Sequence, residues 1–393
     1  MLTGALACAL VTLVAGQVGA SGLLAAAVGP ADQSTSGASV AEPLSPSGAL
    51  FANPAGLLRF PTTTYSASVG VAGGTERVRS PDPPGYDESN DVLALVPDLA
   101  VSIAGRGRLH YGIGVFGSVG MNYDFEAQPE AGVDDGFFSE CSIAGLPLAV
   151  AYRASERLWL GAELVPLFGY LRNHYVLADF PFRYKLTGPG IQGMLGATWN
   201  ASEQWSFGLG FRTPGRIWLD GSAPAASGGR QDVDLEIHMP AQISVGITRH
   251  FGQRFSLDAS GRWTDSSTFS DSIIDFAKMP QADVPFVPHA NDEWRGALGA
   301  RLAWTPRLEL RAGVSYANRI VGTKGVSPLL FDNDDLRLTG GVGIELSERW
   351  TLDVMGGYMF EEERTVSADD ALILPGRYEM SGYTFLIGLQ RRL

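Results

Sequence analysis

From about residue 62 onward, apolar and polar residues alternate along most of the chain, the period-2 pattern of strands whose two faces meet different surroundings. In Trp350–Phe360 one face carries Trp350, Leu352, Val354, Gly356, Tyr358 and Phe360, and the other carries Thr351, Asp353, Met355, Gly357 and Met359. Phe255, Leu257, Ala259, Gly261 and Trp263 likewise oppose Ser256, Asp258, Ser260, Arg262 and Thr264. Leu308–Tyr316 and Leu336–Leu346 repeat the division, with Glu309, Arg311, Arg337 and Glu345 on the polar face. A dry β-sandwich would not accept charges in mid-strand, because an unpaired buried charge costs several kcal/mol. Aromatic residues also stand at both ends of the apolar face, as with Trp350 and Tyr358 or Trp294 and Trp304. Such spacing suits a tilted membrane strand of roughly 9–11 residues with a ring girdle at each interface.

The pattern predicts strands near 62–74, 90–105, 108–123, 141–154, 157–171, 189–201, 204–214, 239–250, 254–265, 292–304, 308–318, 335–347, 350–361 and 379–392. Tight turns, such as Arg106-Gly107, Ser202-Glu203, Gly252-Gln253 and Ser347-Glu348, alternate with long connections. The latter span about 75–89, 124–140, 172–188, 215–238, 266–291, 319–334 and 362–378, and are read as polar loops. Short turns on one side and long loops on the other characterise outer-membrane barrels. The expected fold is therefore all-β, a 14-stranded antiparallel barrel in a Gram-negative outer membrane with both termini periplasmic.

Composition narrows the alternatives. No run of roughly 20 apolar residues follows the N-terminus, so a helical membrane bundle is excluded. Charged residues are 18% and glycines number 49. A net charge of −13 argues against nucleic acid as a partner. Of the cysteines, Cys8 lies in the leading apolar stretch, leaving Cys141 without a partner and no basis for metal or thiol chemistry. Ala5 to Val18 reads as the apolar region of a signal peptide covering 1–20, with small residues Val18-Gly19-Ala20 before Ser21, although no Lys or Arg precedes it. Residues 21–60 carry the apolar stretch Gly48–Leu58, too apolar for a free tail. They are expected to fold inside a barrel formed by 61–393.

Asn53-Pro54-Ala55, between a small-residue stretch and an apolar pair, resembles the hatch signature of the FadL/TodX family of outer-membrane transporters of long-chain fatty acids and hydrocarbons. Gly112–Gly120, Pro147–Arg153, Trp205–Pro214, Met239-Pro240 with Trp263-Thr264, and Asn291–Arg295 resemble further family segments in the same order. The resemblance implies a 14-stranded barrel with Asn53, Pro54 and Ala55 in its hatch. It also implies passive lateral diffusion: an apolar molecule is caught by outer loops, enters an apolar pocket, and leaves through the wall beside a kink in the third strand.

Candidate residues follow. A strand kink needs backbone freedom, which Gly114, Gly117 and Gly120 supply, although small residues also suit barrel curvature. The 172–188 connection is dense in aromatics, so Tyr175, Val176, Phe180 and Phe182 are candidate ligand contacts; packing against a neighbouring loop is the alternative. Lumen-facing Arg212 and Arg262, with Arg295, Arg311 and Arg337, could meet a ligand carboxylate or pair with acids such as Asp258, Glu309 and Asp353. No Gly-x-Ser-x-Gly, His-Glu-x-x-His or P-loop motif occurs. The expectation is a monomeric, non-enzymatic channel without cofactor or metal. Its partners are hydrophobic small molecules such as fatty acids, and outer-membrane lipid. A general porin or structural barrel is the alternative.

Overall fold

A computed structural model describes residues 24–82, 85–131, 133–177 and 180–393, so the expected leader over 1–20 lies outside the described residues. The chain forms a closed antiparallel barrel of 14 wall strands. The first is β1 (Thr64–Ser80). The second is interrupted at Val96-Pro97 into β2 (Tyr86–Leu95) and β3 (Asp98–Ala104), and β4 (Leu109–Phe125) is the third. The fourth comprises β5 (Phe137–Gly145) and β6 (Leu148–Arg153), and the next two are β7 (Leu158–Leu177) and β8 (Phe180–Asn200). The seventh comprises β9 (Trp205–Arg212) and β10 (Gly215–Pro224), and the eighth β11 (Arg230–Met239) and β12 (Gln242–Phe251). After β13 (Phe255–Thr264) come two short pieces, β14 (Ile273–Phe276), which pairs with β11, and β15 (Val284–Pro285), which pairs with β14. The barrel is completed by β16 (Glu293–Thr305), β17 (Leu308–Ala317), β18 (Asp335–Ser347), β19 (Trp350–Val366) and β20 (Gly376–Arg392). β20 pairs back onto β1 from Thr64↔Arg392 to Arg79↔Arg377, which closes the wall.

Each of these interruptions contains a proline: Pro97, Pro147, Pro214 or Pro240. Proline has no N–H to give to a ladder, so the strand steps out of register there and resumes. The tight turns use residues that tolerate their geometry, with Gly107 and Gly252 at φ 70° and 68°.

The wall strands were expected at the right places but too short. Segments 75–89, 172–188 and 215–238, read as loops, are in large part strand. β7 and β8 stay paired up to Leu177↔Phe180, and β10 and β11 from Gly215↔Met239 to Pro224↔Arg230. The physical reason is a reversal of polarity along each strand. Low on the wall the outward face is apolar, with Leu160, Leu164, Trp294, Leu298 and Trp304 exposed, as a lipid-facing belt requires. Higher up, Val233, Leu235 and Ile237 point inward and are buried while Asp232 and Asp234 are exposed; Phe182, Tyr184 and Leu186 alternate with exposed Arg183 and Lys185 in the same way. Polar residues there mark a strand that has left the membrane.

Residues 24–60 lie inside the barrel. They form a short helix α1 (Pro30–Gln33), a helix α2 (Pro46–Ala52) and a 3-10 turn (Pro54–Arg59). Ser45 caps α2 by accepting from the Gly48 N–H at 3.0 Å. Asp32, buried, staples the segment by accepting from the Ser39 hydroxyl (2.6 Å), the Leu44 N–H (2.9 Å) and the Ser45 hydroxyl (2.7 Å). A side chain at Gly196 or Gly161 would collide with Asn53 and Pro54 or with Pro54 and Ala55. Their missing Cβ atoms let the backbone of the segment approach the wall.

Gly196→Val is therefore expected to lower stability by about 1–3 kcal/mol through overpacking and to expose residues 24–60 to protease. Gly356→Val, where an added Cβ meets nothing within 4 Å, is the control expected to be neutral. Thermal unfolding midpoints and limited proteolysis in detergent check both.

Candidate functional site

Three features of the interior bear on function: a polar floor, a break in the wall, and an apolar outer chamber. The floor joins the inner segment to the wall. Glu42 accepts from Ser206 Oγ (2.8 Å) and His250 Nε2 (2.9 Å) and pairs with Arg59 (2.9 Å) and Arg301 (3.2 Å). Arg301 also holds Asp258 at 2.7 Å. Arg311 pairs with Glu309 and Asp353, both at 2.6 Å. Asn53 donates to the carbonyls of Val40 and Ala197 and to Thr198 Oγ1, each at 3.0 Å, while its Oδ1 accepts from Ala55 N–H. Asn53, Pro54 and Ala55 are buried against the wall.

Arg212 and Arg262 sit above this floor and are brought together, with Arg295, around a cavity of about 30 Å³. Arg212 donates to the Phe51 carbonyl (2.8 Å) and lies over the Phe51 ring; Arg262 donates to the Ala25 carbonyl (3.1 Å) and pairs with Glu293 (3.2 Å). Arg295 pairs with Glu293 and Asp335. In this structure these guanidinium groups serve the inner segment and lumen acids.

The wall breaks beside the third strand. β4 pairs with β3 only as far as Leu99↔Val115, opposite the Val96-Pro97 interruption. Beyond it, among the described residues, the ladder of β4 continues with β5 alone, and its register shifts between Gly117 and Val119. Ser118 is the extra residue of this bulge. Leu24 of the inner segment forms a bridge to Val119, and the Ala25 N–H donates to the Ser118 carbonyl at 3.2 Å. Towards β2 a side-chain contact spans the break, Asn90 Nδ2 to the Asn122 carbonyl at 3.3 Å. Gly117 flanks the bulge and Gly120 follows it closely. Gly114 is in regular register with Ala100, where an added Cβ would press on Leu50 of the inner segment.

Above the break the interior is apolar. Val119, Met121, Ile143, Leu167, Leu171, Leu186, Ile217 and Leu235 belong to one continuous buried cluster that includes Leu24. Within it lies a cavity of about 130 Å³, lined by Tyr175 and Tyr184 from the β7–β8 hairpin and roofed by Phe286, Leu330 and Ile373 from three outer connections. Tyr175 stacks on Phe182 with ring centroids 5.1 Å apart; Phe180 and Phe276 meet Phe182 edge-on. Thus Tyr175 reaches the cavity, Phe180 and Phe182 buttress it, and Val176 is half-buried. The residues are on a strand hairpin and not on the expected loop. Asn173, Leu171, Ile274, Phe286, Leu330 and Ile373 were missed in the sequence. For Ile274, Phe286, Leu330 and Ile373 the signal was an apolar residue in an otherwise polar outer connection; Leu171 and Asn173 carried no such signal.

The roof has its own clasp. Asp332 accepts from the N–H groups of Ile320 (2.7 Å) and Val321 (2.9 Å), holding the loop that carries Leu330. Burial raises its carboxyl to about 7, against the opposing effects of those two N–H groups and Arg364 and with the added repulsion of Glu293.

The family of outer membrane protein transport proteins (OMPP1/FadL/TodX) matches residues 187–392. No curated protein matches the sequence. Among solved structures, a Pseudomonas aeruginosa FadL homologue superposes with a TM-score of 0.79 at 16% identity, covering 95% of this chain and 100% of its own. The Ralstonia pickettii toluene transporter TbuX gives 0.73 at 19% identity over 94% of this chain and 99% of its own. The P. putida toluene transporter TodX gives 0.75 at 17% over 94% and 99%. At these identities the likeness is one of fold.

A carboxyl raised on folding binds its proton more tightly in the folded state, so its stability contribution is lost as pH rises between the ordinary 3.8 and about 7. Exchange protection of the Ile320 and Val321 amides, corrected for intrinsic rates, is expected to be higher at pH 5 than at pH 8. Asp332→Asn should flatten that dependence.

Proposed function

Because the chain belongs to the OMPP1/FadL/TodX family of outer membrane transport proteins, we propose that it passes hydrophobic molecules passively from the cell exterior into the outer membrane. The observation that carries this reading is the continuity of the apolar outer chamber with the wall break at Ser118, above a floor closed by the inner segment. Met121, Val119 and Leu24 lead from the cavity to the bulge within one buried apolar cluster. An apolar solute has no reason to cross the charged floor when lipid lies beside the break, since transfer into an apolar medium is favourable.

Residues 24–60 act as a plug in this scheme, with Asn53-Pro54-Ala55 seating it against β7 and β8. The bulge flanked by Gly117 serves as the lateral exit, and the plug residues Leu24 and Ala25 control it. The tight turns and both ends of the barrel chain face the periplasm, in keeping with short periplasmic turns in such barrels. The protein works as a monomer, and the transfer needs no catalytic group or cofactor. The porin alternative requires a water-filled lumen. The matched charges of Glu42, Arg59, Arg301 and Asp258 across that lumen argue against it.

The exit can be closed by cross-linking. In a Cys141→Ala background, Asn90→Cys with Asn122→Cys places thiols on either side of the break. Cross-linking is expected to cut uptake of a labelled fatty acid or hydrocarbon into vesicles at least tenfold, with recovery on reduction. Unchanged uptake with complete cross-linking would overturn the lateral route. Planar-bilayer conductance is expected to be low; large, steady ion currents would support the porin.

A further inference from the structure

The outer cavity points to a narrower cargo. We propose that it binds a neutral molecule the size of a single ring that brings one hydrogen-bond donor, as a phenol does. This inference rests on the transport reading above and names the class of molecule that its outer site takes.

Size is the first ground. The cavity measures about 130 Å³, close to the roughly 150 Å³ of an apolar protein cavity known to hold benzene. A long acyl chain would have to reach beyond this volume, past the exposed Leu372 at its rim. Charge is the second. No Asp, Glu, Lys, Arg or His is found among the described residues that line it. A carboxylate placed there would lose its hydration without gaining a cation, at a cost of several kcal/mol. Arg212, buried, and Arg262, partly buried, line a separate small cavity beside Phe51 and are engaged with backbone carbonyls.

The third ground is an unused acceptor. Asn173 lines the cavity and is 9% exposed. Its Nδ2 donates to the Tyr184 hydroxyl at 2.7 Å. Asn173 Oδ1 is left buried without a hydrogen-bond partner. A buried acceptor without a donor is costly, and a ligand that supplies the donor recovers that loss. A site that offers a hydrogen bond discriminates against an isostere that cannot make it. Phenols suit this arrangement, since a phenolic hydroxyl with a pKa near 10 stays protonated at neutral pH.

Phenol and toluene differ by replacement of a hydroxyl with a methyl group of similar size, so the pair isolates the hydrogen bond. The experiment uses the full chain in detergent, with 4-fluorophenol and 4-fluorotoluene observed by fluorine NMR and dodecanoate as competitor. The expected result is 4-fluorophenol binding about tenfold tighter than 4-fluorotoluene, with dodecanoate displacing neither. Asn173→Leu should remove or invert that preference. Leu330→Trp, which fills the cavity, should abolish binding of both probes while leaving the unfolding midpoint near that of the parent. Equal affinity for the two probes would overturn the donor requirement, and displacement by dodecanoate would overturn the neutral-ligand assignment. Binding that survives Leu330→Trp would overturn the location. If neither probe binds while cross-linking across the break still blocks fatty-acid uptake, this inference falls and the transport reading stands. If uptake ignores the cross-link while the probes behave as expected, the site stands and the lateral route falls.

Discussion

The backbone of residues 24–60 runs against the inside of a wall that is wider than its own side chains can fill, and the seat exists because Gly161, Gly196, Gly208 and Gly246 carry no Cβ there. That close approach obliges every polar group at the contact to find a partner, since each orphan costs on the order of 1–3 kcal/mol. Asn53 meets the obligation with three donated bonds, and Glu42 with two basic side chains, a hydroxyl and His250. Removing one member of such a buried ionic group typically costs about 3–5 kcal/mol. The floor is therefore held by charge pairing on one side and, on the other, by the buried apolar contact of Leu50, Leu57 and Leu58 with Ala100, Phe116 and Ala151.

Closure of the floor decides what the rest of the interior can be. The lower lumen is charged where it meets Glu42 and Arg59, and apolar where it meets Leu50, Leu57 and Leu58. The upper interior is apolar because the strands extend past the membrane and reverse their faces, as Arg230–Met239 does with Val233, Leu235 and Ile237 turned inward. A hydrophobic chamber thus stands over a charged one. The wall is weakest near their junction, where the Val96-Pro97 interruption lies opposite the bulge at Ser118.

The bulge and the inner segment are coupled by contact. Leu24 and Ala25 pair with Val119 and Ser118, and Arg262 reaches from β13 to the Ala25 carbonyl. A displacement of the segment's leading end would therefore free the bulged strand and one guanidinium group together.

The number of wall strands, their inward and outward faces and the positions of the tight turns were legible in the sequence, because lipid on one side and lumen on the other impose a period of two that each strand carries locally. Asn53-Pro54-Ala55 stood out only through its resemblance to a contiguous family motif, since its contacts with Ala197 and Gly196 lie far along the chain. The outer reaches of the strands were not legible. Once past the membrane, their outward residues are charged, and Arg183, Lys185, Asp232 and Asp234 resemble a loop until the buried partners beside them are seen. Tyr175 was found as an aromatic in a polar stretch. Asn173, Phe286, Leu330 and Ile373 were not, because residues from separate connections become a cavity only when the fold brings them together. Glu42 illustrates the limit: its partners at 59, 206, 250 and 301 are scattered along the chain. Local alternation determines which face a residue takes, and only the closed barrel decides which distant charge it meets.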